Sequence, residues 1–323
     1  MSQAALPGPG LLHDAFFHDS EDALSATAVS FVREGVERGQ VVLVNTARPL
    51  TALLRALFGH EETVVFADEP VYERPVGAID QYKRTMDRGL AADVPGYRAI
   101  GHIDFQSSRL PWPEWLRYEA VVNRVFESYP FHALCPYSTR TVAPEIVLAM
   151  RRAHPWLVVS GRRVPNPEYV EPVELVSRPE YVGPADPLEE ESPQLELEGV
   201  RALRDLRNEL YPVAIFTGMA RSKVDDFVKA VGEVSANAWT HGRGTVRVRL
   251  WTAMDRLLCT VTDHGPGIAD PLKGYARSIG NATTGSVSTR EGLGLWAARQ
   301  LCDILDYRHD EDGFTVRLVA FDG

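Results

Sequence analysis

Three short segments in the last third of the chain constrain its fold more than any other feature: a polar pair on a helix, a strand running into a glycine turn, and a glycine-led helix. Glu233 and Asn237 stand four apart in a stretch where Phe227, Val231 and Val234 fall at helical spacing, so both polar side chains share one face. An Asn carbonyl and a carboxylate are oxygen ligands of the kind Mg²⁺ accepts while it keeps waters and completes its shell from nucleotide phosphates. A carboxylate beside such an ion is also placed to act as a base. The alternation over residues 257–262 predicts a strand, and Asp263-His264-Gly265-Pro266-Gly267 after it predicts a sharp turn whose backbone comes close to a ligand. Asp263 at that strand end is a natural acceptor for an exocyclic amine such as that of adenine. Gly292-Leu293-Gly294 opens an apolar run to Leu301, where free N–H groups at a helix start can meet phosphate oxygens. Taken singly, each segment is weak, because Asp-x-Gly-x-Gly is commonly a plain turn and Gly-x-Gly precedes many helices. Their order, with a polar lid-like stretch over residues 273–290 between the second and third, describes one ATP site.

Residues 196–321 resemble the Bergerat-fold (GHKL) ATPase domain, an α+β fold, and within it the anti-sigma-factor serine kinase branch of actinobacteria. The resemblance is carried by residues 231–242, 261–272, 292–303 and 313–318. It implies Glu233 as general base, Asn237 as the Mg²⁺ ligand, Asp263 as the adenine reader, and Gly265, Gly267, Gly292, Leu293 and Gly294 as backbone contacts. It also implies a hydroxyl near the adenine and its bound water at Thr315, with His241 and Arg290 near the phosphates. The implied activity is transfer of the γ-phosphate of Mg-ATP to a serine of a STAS-type antagonist in a circuit that includes a sigma factor. The expected assembly is a homodimer. A switch that binds ATP and sequesters a sigma factor without turnover uses the same side chains and stays open. A sensor histidine kinase ranks last, because it needs a phosphoacceptor histidine on a helical hairpin before the ATP domain and residues 155–240 contain none.

The first half alternates strand and helix signals. Strands are expected at residues 15–18, 41–45, 63–67, 97–105 and 131–137, with helices at 24–39, 49–58, 79–90, 114–128 and 144–154. Doubly apolar strands alternating with helices predict a mostly parallel sheet covered on both faces, RecA-like in outline. The first strand-to-helix turn, His18-Asp19-Ser20-Glu21-Asp22, offers acids where a P-loop needs glycines and a lysine, so this half is not expected to hold a triphosphate. Residues 11–176 resemble the methanogen/methylotroph sensory (MEDS) domain, through residues 13–17, 115–123, 134–137 and His154-Pro155. The resemblance implies a small-molecule signal. His102, Asp104, Glu119, Asn123, Cys135 and Tyr137 are the candidate ligand residues, set against the alternative that they are buried polar groups satisfied by their neighbours.

Residues 183–193 hold three prolines and an acidic run, and the boundary is placed there: a sensory domain over 1–185, an extended acidic linker over 186–192 and the ATPase domain over 193–323. A formal net charge of -10 disfavours nucleic acid as a partner. No apolar run reaches transmembrane length, and the first ten residues lack the pattern of a signal peptide, so a cytoplasmic protein without a membrane partner is expected. Cys135, Cys259 and Cys302 show no metal-binding spacing along the chain and are read as free thiols.

Overall fold

The computed structural model describes residues 10–67, 71–90, 94–181, 185–277 and 293–322. The chain divides into two compact units between residues 182 and 183.

The first unit runs β1 (Leu12–His18), α1 (Glu21–Glu37), β2 (Val41–Asn45), α2 (Arg48–Phe58), β3 (Val64–Phe66), α3 (Pro75–Leu90), β4 (Tyr97–Gly101), α4 (Trp112–Val125), β5 (Phe131–Ser138), α5 (Pro144–Ala153), β6 (Trp156–Val159), β7 (Arg162–Pro165) and α6 (Pro172–Val176). Its seven strands are ordered β3-β2-β4-β5-β1-β6-β7, parallel except where β7 turns back on β6. The expected α/β architecture is therefore present, with one antiparallel edge that periodicity over four-residue strands does not reveal. The turn that makes that edge is Ser160-Gly161, at φ 49° and 72°, the left-handed pair a two-residue hairpin demands. Every residue of β4 is buried, as a central strand covered on both faces should be. α1 starts at Ser20, whose hydroxyl accepts the Ala23 N–H at 3.3 Å, with Glu21 and Asp22 in the first turn facing the positive helix end.

The second unit comprises β8 (Leu195–Glu198), α7 (Leu203–Ala214), α8 (Arg221–His241), β9 (Arg247–Thr252), β10 (Arg256–Asp263), α9 (Leu293–Leu301), β11 (Ile304–Asp310) and β12 (Gly313–Phe321). Its antiparallel sheet is ordered β11-β12-β10-β9-β8. Leu257, Cys259 and Val261 alternate on one face of β10 and pack with Val316 and Leu318 of β12 against Val224, Phe227, Val231 and Val234 of α8. This is the α+β architecture expected of the ATPase half. No helix among the described residues is long and apolar enough to cross a membrane.

The acidic segment expected to be an extended linker is instead folded onto the second unit. Pro187–Glu190 form a short 3₁₀ turn, capped by Asp186. Asp186 pairs with Arg256 at 2.9 Å, Glu189 with Arg308 at 2.7 Å and Arg317 at 3.2 Å, and the Trp251 indole N–H donates to the Glu191 carbonyl at 2.9 Å. Register puts Trp251, Arg256 and Arg317 on the sheet face opposite Val261 and Val316, so the segment lies over the back of the sheet. Like charges extend a chain only where no cations meet them, and here three arginines do. Burial alone would raise the Asp186 carboxyl, but the Arg256 guanidinium outweighs it and holds the group below the usual range. Glu189→Ala is expected to lower the stability of this unit by about 1–3 kcal/mol, because it strips a partner from the nearly buried Arg317. Denaturant unfolding of the full chain measures this as an earlier transition.

Candidate functional site

In the second unit the three segments converge on one cavity of about 470 Å³, within the usual size range of ligand pockets. Asn237 and His241 line it from α8, Val261 and Asp263 from β10, Gly267, Ile268, Ala269 and Lys273 from the turn after β10, and Leu295 from α9. Gly294 sits against the helix pair. A Cβ built there would lie 3.1 Å from Glu233 Oε2 and 3.2 Å from Asn237 Nδ2. That contact brings together residues nearly sixty positions apart and leaves both side chains facing the start of α9. Asp263 is buried, and its Oδ1 accepts the Gly265 N–H at 2.5 Å. Gly242 is required beside it, since a Cβ there would come within 2.6 Å of the Asp263 carboxyl carbon. Gly267 has φ 74°, where L side chains are strained, and its missing Cβ makes room for the Phe314 ring.

The arrangement fits an adenine nucleotide with a divalent ion. A buried carboxylate stands at the inner end, apolar walls of Val234, Ile268, Leu295 and Val316 flank it, and a carboxylate and an amide carbonyl lie near a helix N-terminus. Asn237 would hold the ion, with Glu233 beside it.

Thr315 does not fit its expected role. It is paired with Thr262 in the β10–β12 ladder, and the two hydroxyls hydrogen-bond at 2.9 Å on the back of the sheet, away from the cavity. Strand alternation gives the cavity Phe314 and Val316 instead. Arg290 and Gly292 lie outside the described residues. Leu293 opens α9 and is partly exposed, and His241 ends α8 at the cavity rim. Sequence reasoning missed Gly242, Ile268, Ala269 and Phe314 as cavity residues and treated Lys273 only as the start of a lid. Phe314 was accessible from parity, because it stands directly opposite Asp263.

In the first unit the six sensory candidates separate into two groups. His102 and Asp104 line a crevice of about 380 Å³ at the carboxyl ends of the strands, with His18, Thr46, Leu50, Pro136 and Ser138. Open α/β sheets form ligand crevices at this edge. Burial lowers the His102 pKa, against the pull of Asp104. Asp104 itself accepts the N–H groups of Gln106 and Ser107, so it organises its own loop.

Glu119, Asn123, Cys135 and Tyr137 belong elsewhere, deep under α4, around His13 and His154. Tyr137 donates to Glu119 Oε1 at 2.7 Å, and Glu119 Oε2 lies 3.1 Å from His13 Nε2. Burial alone would raise Glu119, but His13, His154 and Tyr137 more than offset it and favour the carboxylate. Burial pushes His154 down to about 3, leaving it neutral. The Cys135 thiol is raised by burial and by Glu119. No local spacing announces this cluster, whose members span residues 13 to 154. Trp115, beside the prolines that open α4, is core, with its indole N–H donating to Ser108 Oγ at 2.8 Å.

An antiparallel sheet with helices on one face, a glycine-flanked Asp at a strand end and a helix-borne Glu–Asn pair define a histidine kinase-like ATPase. Residues 195–320 match the family model of the Histidine kinase-like ATPase domain, and residues 12–155 match that of the MEDS domain, the MEthanogen/methylotroph, DcmR Sensory domain. Residues 12–155 are thus a MEDS domain and residues 195–320 a histidine kinase-like ATPase domain, the pairing the sequence resembles. A comparison with curated proteins gave no match. Domains of the second family bind ATP, usually with Mg²⁺, and the two together define an ATP-binding regulatory protein with a kinase-like ATPase unit.

Proposed function

We propose that the second unit binds Mg-ATP and phosphorylates a serine of a STAS-type antagonist protein, and that the MEDS unit senses the signal controlling this step in a sigma-factor circuit. The observation that supports the reading is the seat of Gly294 against Glu233 and Asn237, a carboxylate and an amide beside a helix start of the kind that suits phosphate. When bound, Mg²⁺ neutralises charge developing on the transferred phosphoryl group. Glu233 takes the proton from the serine hydroxyl as its oxygen bonds to the γ-phosphorus. The bond from that phosphorus to the β,γ-bridging oxygen breaks, and ADP leaves with the electron pair. Asp263 receives the adenine amine, while Phe314, Ile268 and Val316 cover the ring.

Incubation of the full chain with labelled ATP and the STAS-domain proteins of the same genome, read out as phosphoserine, tests the reading. Label on one antagonist supports the kinase. ATP binding with no label on any antagonist replaces it with the non-catalytic, sigma-sequestering switch.

A further inference from the structure

We propose that His13, Glu119, Cys135 and His154 form a metal site for a borderline divalent ion, Zn²⁺ first, at the centre of the MEDS unit. One ligand atom from each of the four residues lies within 4.8 Å of all the others. Individual edges are 3.1 Å from His13 Nε2 to Glu119 Oε2, 3.5 Å from Cys135 Sγ to His13 Nε2, 3.8 Å from Cys135 Sγ to Glu119 Oε2 and 3.6 Å from His154 Nε2 to Glu119 Oε2. A regular tetrahedron with zinc–nitrogen, zinc–oxygen and zinc–sulfur bonds has edges of about 3.3–3.8 Å, so the four atoms already stand close to ligand spacing. Two imidazoles, a thiol and a carboxylate are a donor set that suits this ion better than Mg²⁺ or Ca²⁺.

The outer contacts aim the ligands inward. His154 Nδ1 lies 2.6 Å from the Met150 carbonyl, which can only accept, so Nδ1 carries the proton and Nε2 presents its lone pair to the cluster. That Nε2 is buried with no hydrogen-bond partner, in a residue that is 0% exposed. His13 Nδ1 lies 3.0 Å from Asn123 Oδ1, and the Asn123 amide is oriented by donating to the carbonyls of Glu119 and Ala153 at 3.2 Å and 2.7 Å. Its Oδ1 must therefore accept from His13 Nδ1, which turns the His13 Nε2 toward the cluster. Tyr137 holds the other oxygen of Glu119 at 2.7 Å. Each of these three first-contact residues has an outer partner of the kind that orients metal ligands.

Without a metal, His13 Nε2 pairs with Glu119, and the His154 Nε2 lone pair is left buried with no hydrogen-bond partner, which costs free energy. Cys135 is half-buried as a residue, with its thiol inside the cluster, and would release its proton to solvent as the metal–sulfur bond forms. The adjoining cavity, lined by Tyr72, Tyr82 and Tyr118, measures about 10 Å³, room for about one water. The site is thus closed, in the manner of structural zinc rather than of an open catalytic position.

The test is a Co²⁺ titration of the full chain, chelator-treated and kept reduced, followed by absorbance. Expected are one equivalent bound per chain, a thiolate-to-cobalt charge-transfer band with the intense visible bands of tetrahedral cobalt, and displacement of both by Zn²⁺. Cys135→Ser should remove the charge-transfer band, His154→Gln should weaken binding at least tenfold, and Cys259→Ser should change neither. If Cys135→Ser does not fold, protection of the Cys135 thiol from alkylation by Zn²⁺ in the native chain decides the matter. A folded native chain that binds no cobalt saturably, or a charge-transfer band that survives Cys135→Ser, overturns the site. It would leave a His13–Glu119 ion pair as the whole of the cluster.

Discussion

Glu233→Gln is expected to leave nucleotide affinity close to that of the native chain while phosphoserine formation falls about a hundredfold or more, the scale of a positioned general base. Gln keeps the size and hydrogen-bonding reach of Glu but cannot take a proton at neutral pH. Glu233 is exposed on α8 with its carboxylate beside Gly294 of α9, so the change opens no buried cavity. Calorimetry and single-turnover labelling, run on the same preparation, separate the two effects. Equal loss of binding and transfer would mean that Glu233 shapes the pocket rather than the chemistry.

Asn237→Ala is expected to abolish most of the stabilisation that Mg-ATP gives the second unit. A ligand bound only to the native state at a hundredfold excess over its Kd contributes about 2.7 kcal/mol. For a unit of this size that corresponds to roughly 5–10 °C in melting temperature. Asn237 lines the cavity and also touches the start of α9, so its loss removes both the proposed Mg²⁺ ligand and a neighbour of Gly294. Thermal unfolding with and without nucleotide, in the presence of Mg²⁺ and again with a chelator, reads this directly. A nucleotide shift that is unchanged in the variant and insensitive to the chelator would contradict the assignment of Asn237 to the metal.

Much of this was legible in the chain because its signals were local. Helical spacing of Phe227, Val231 and Val234 set the face of α8, and β10 ends at Asp263 as the Gly turn after it required. The alternation of the first half gave the parallel sheet. What was not legible depended on pairing between distant segments. Thr315 was assigned by resemblance, whereas its orientation follows from the register that sets Phe314 opposite Asp263. The acidic segment looked extended because the arginines that hold it lie far along the chain, at Arg256, Arg308 and Arg317. The cysteines showed no metal spacing because the cluster draws on β1, α4, β5 and the residue after α5, brought together only by the β1–β5 pairing and the helices packed on it.

A calorimetric titration of Mg-ATP into the full chain tests the central claim most directly. One nucleotide per chain is predicted, with most of the affinity lost in Asn237→Ala and none contributed by the MEDS unit, because the turn after its first strand presents Asp19, Glu21 and Asp22 where a phosphate loop needs glycines and a lysine. No binding would contradict the ATP site of the second unit. Two nucleotides per chain would place a triphosphate in the sensory unit and contradict the division of labour between the two.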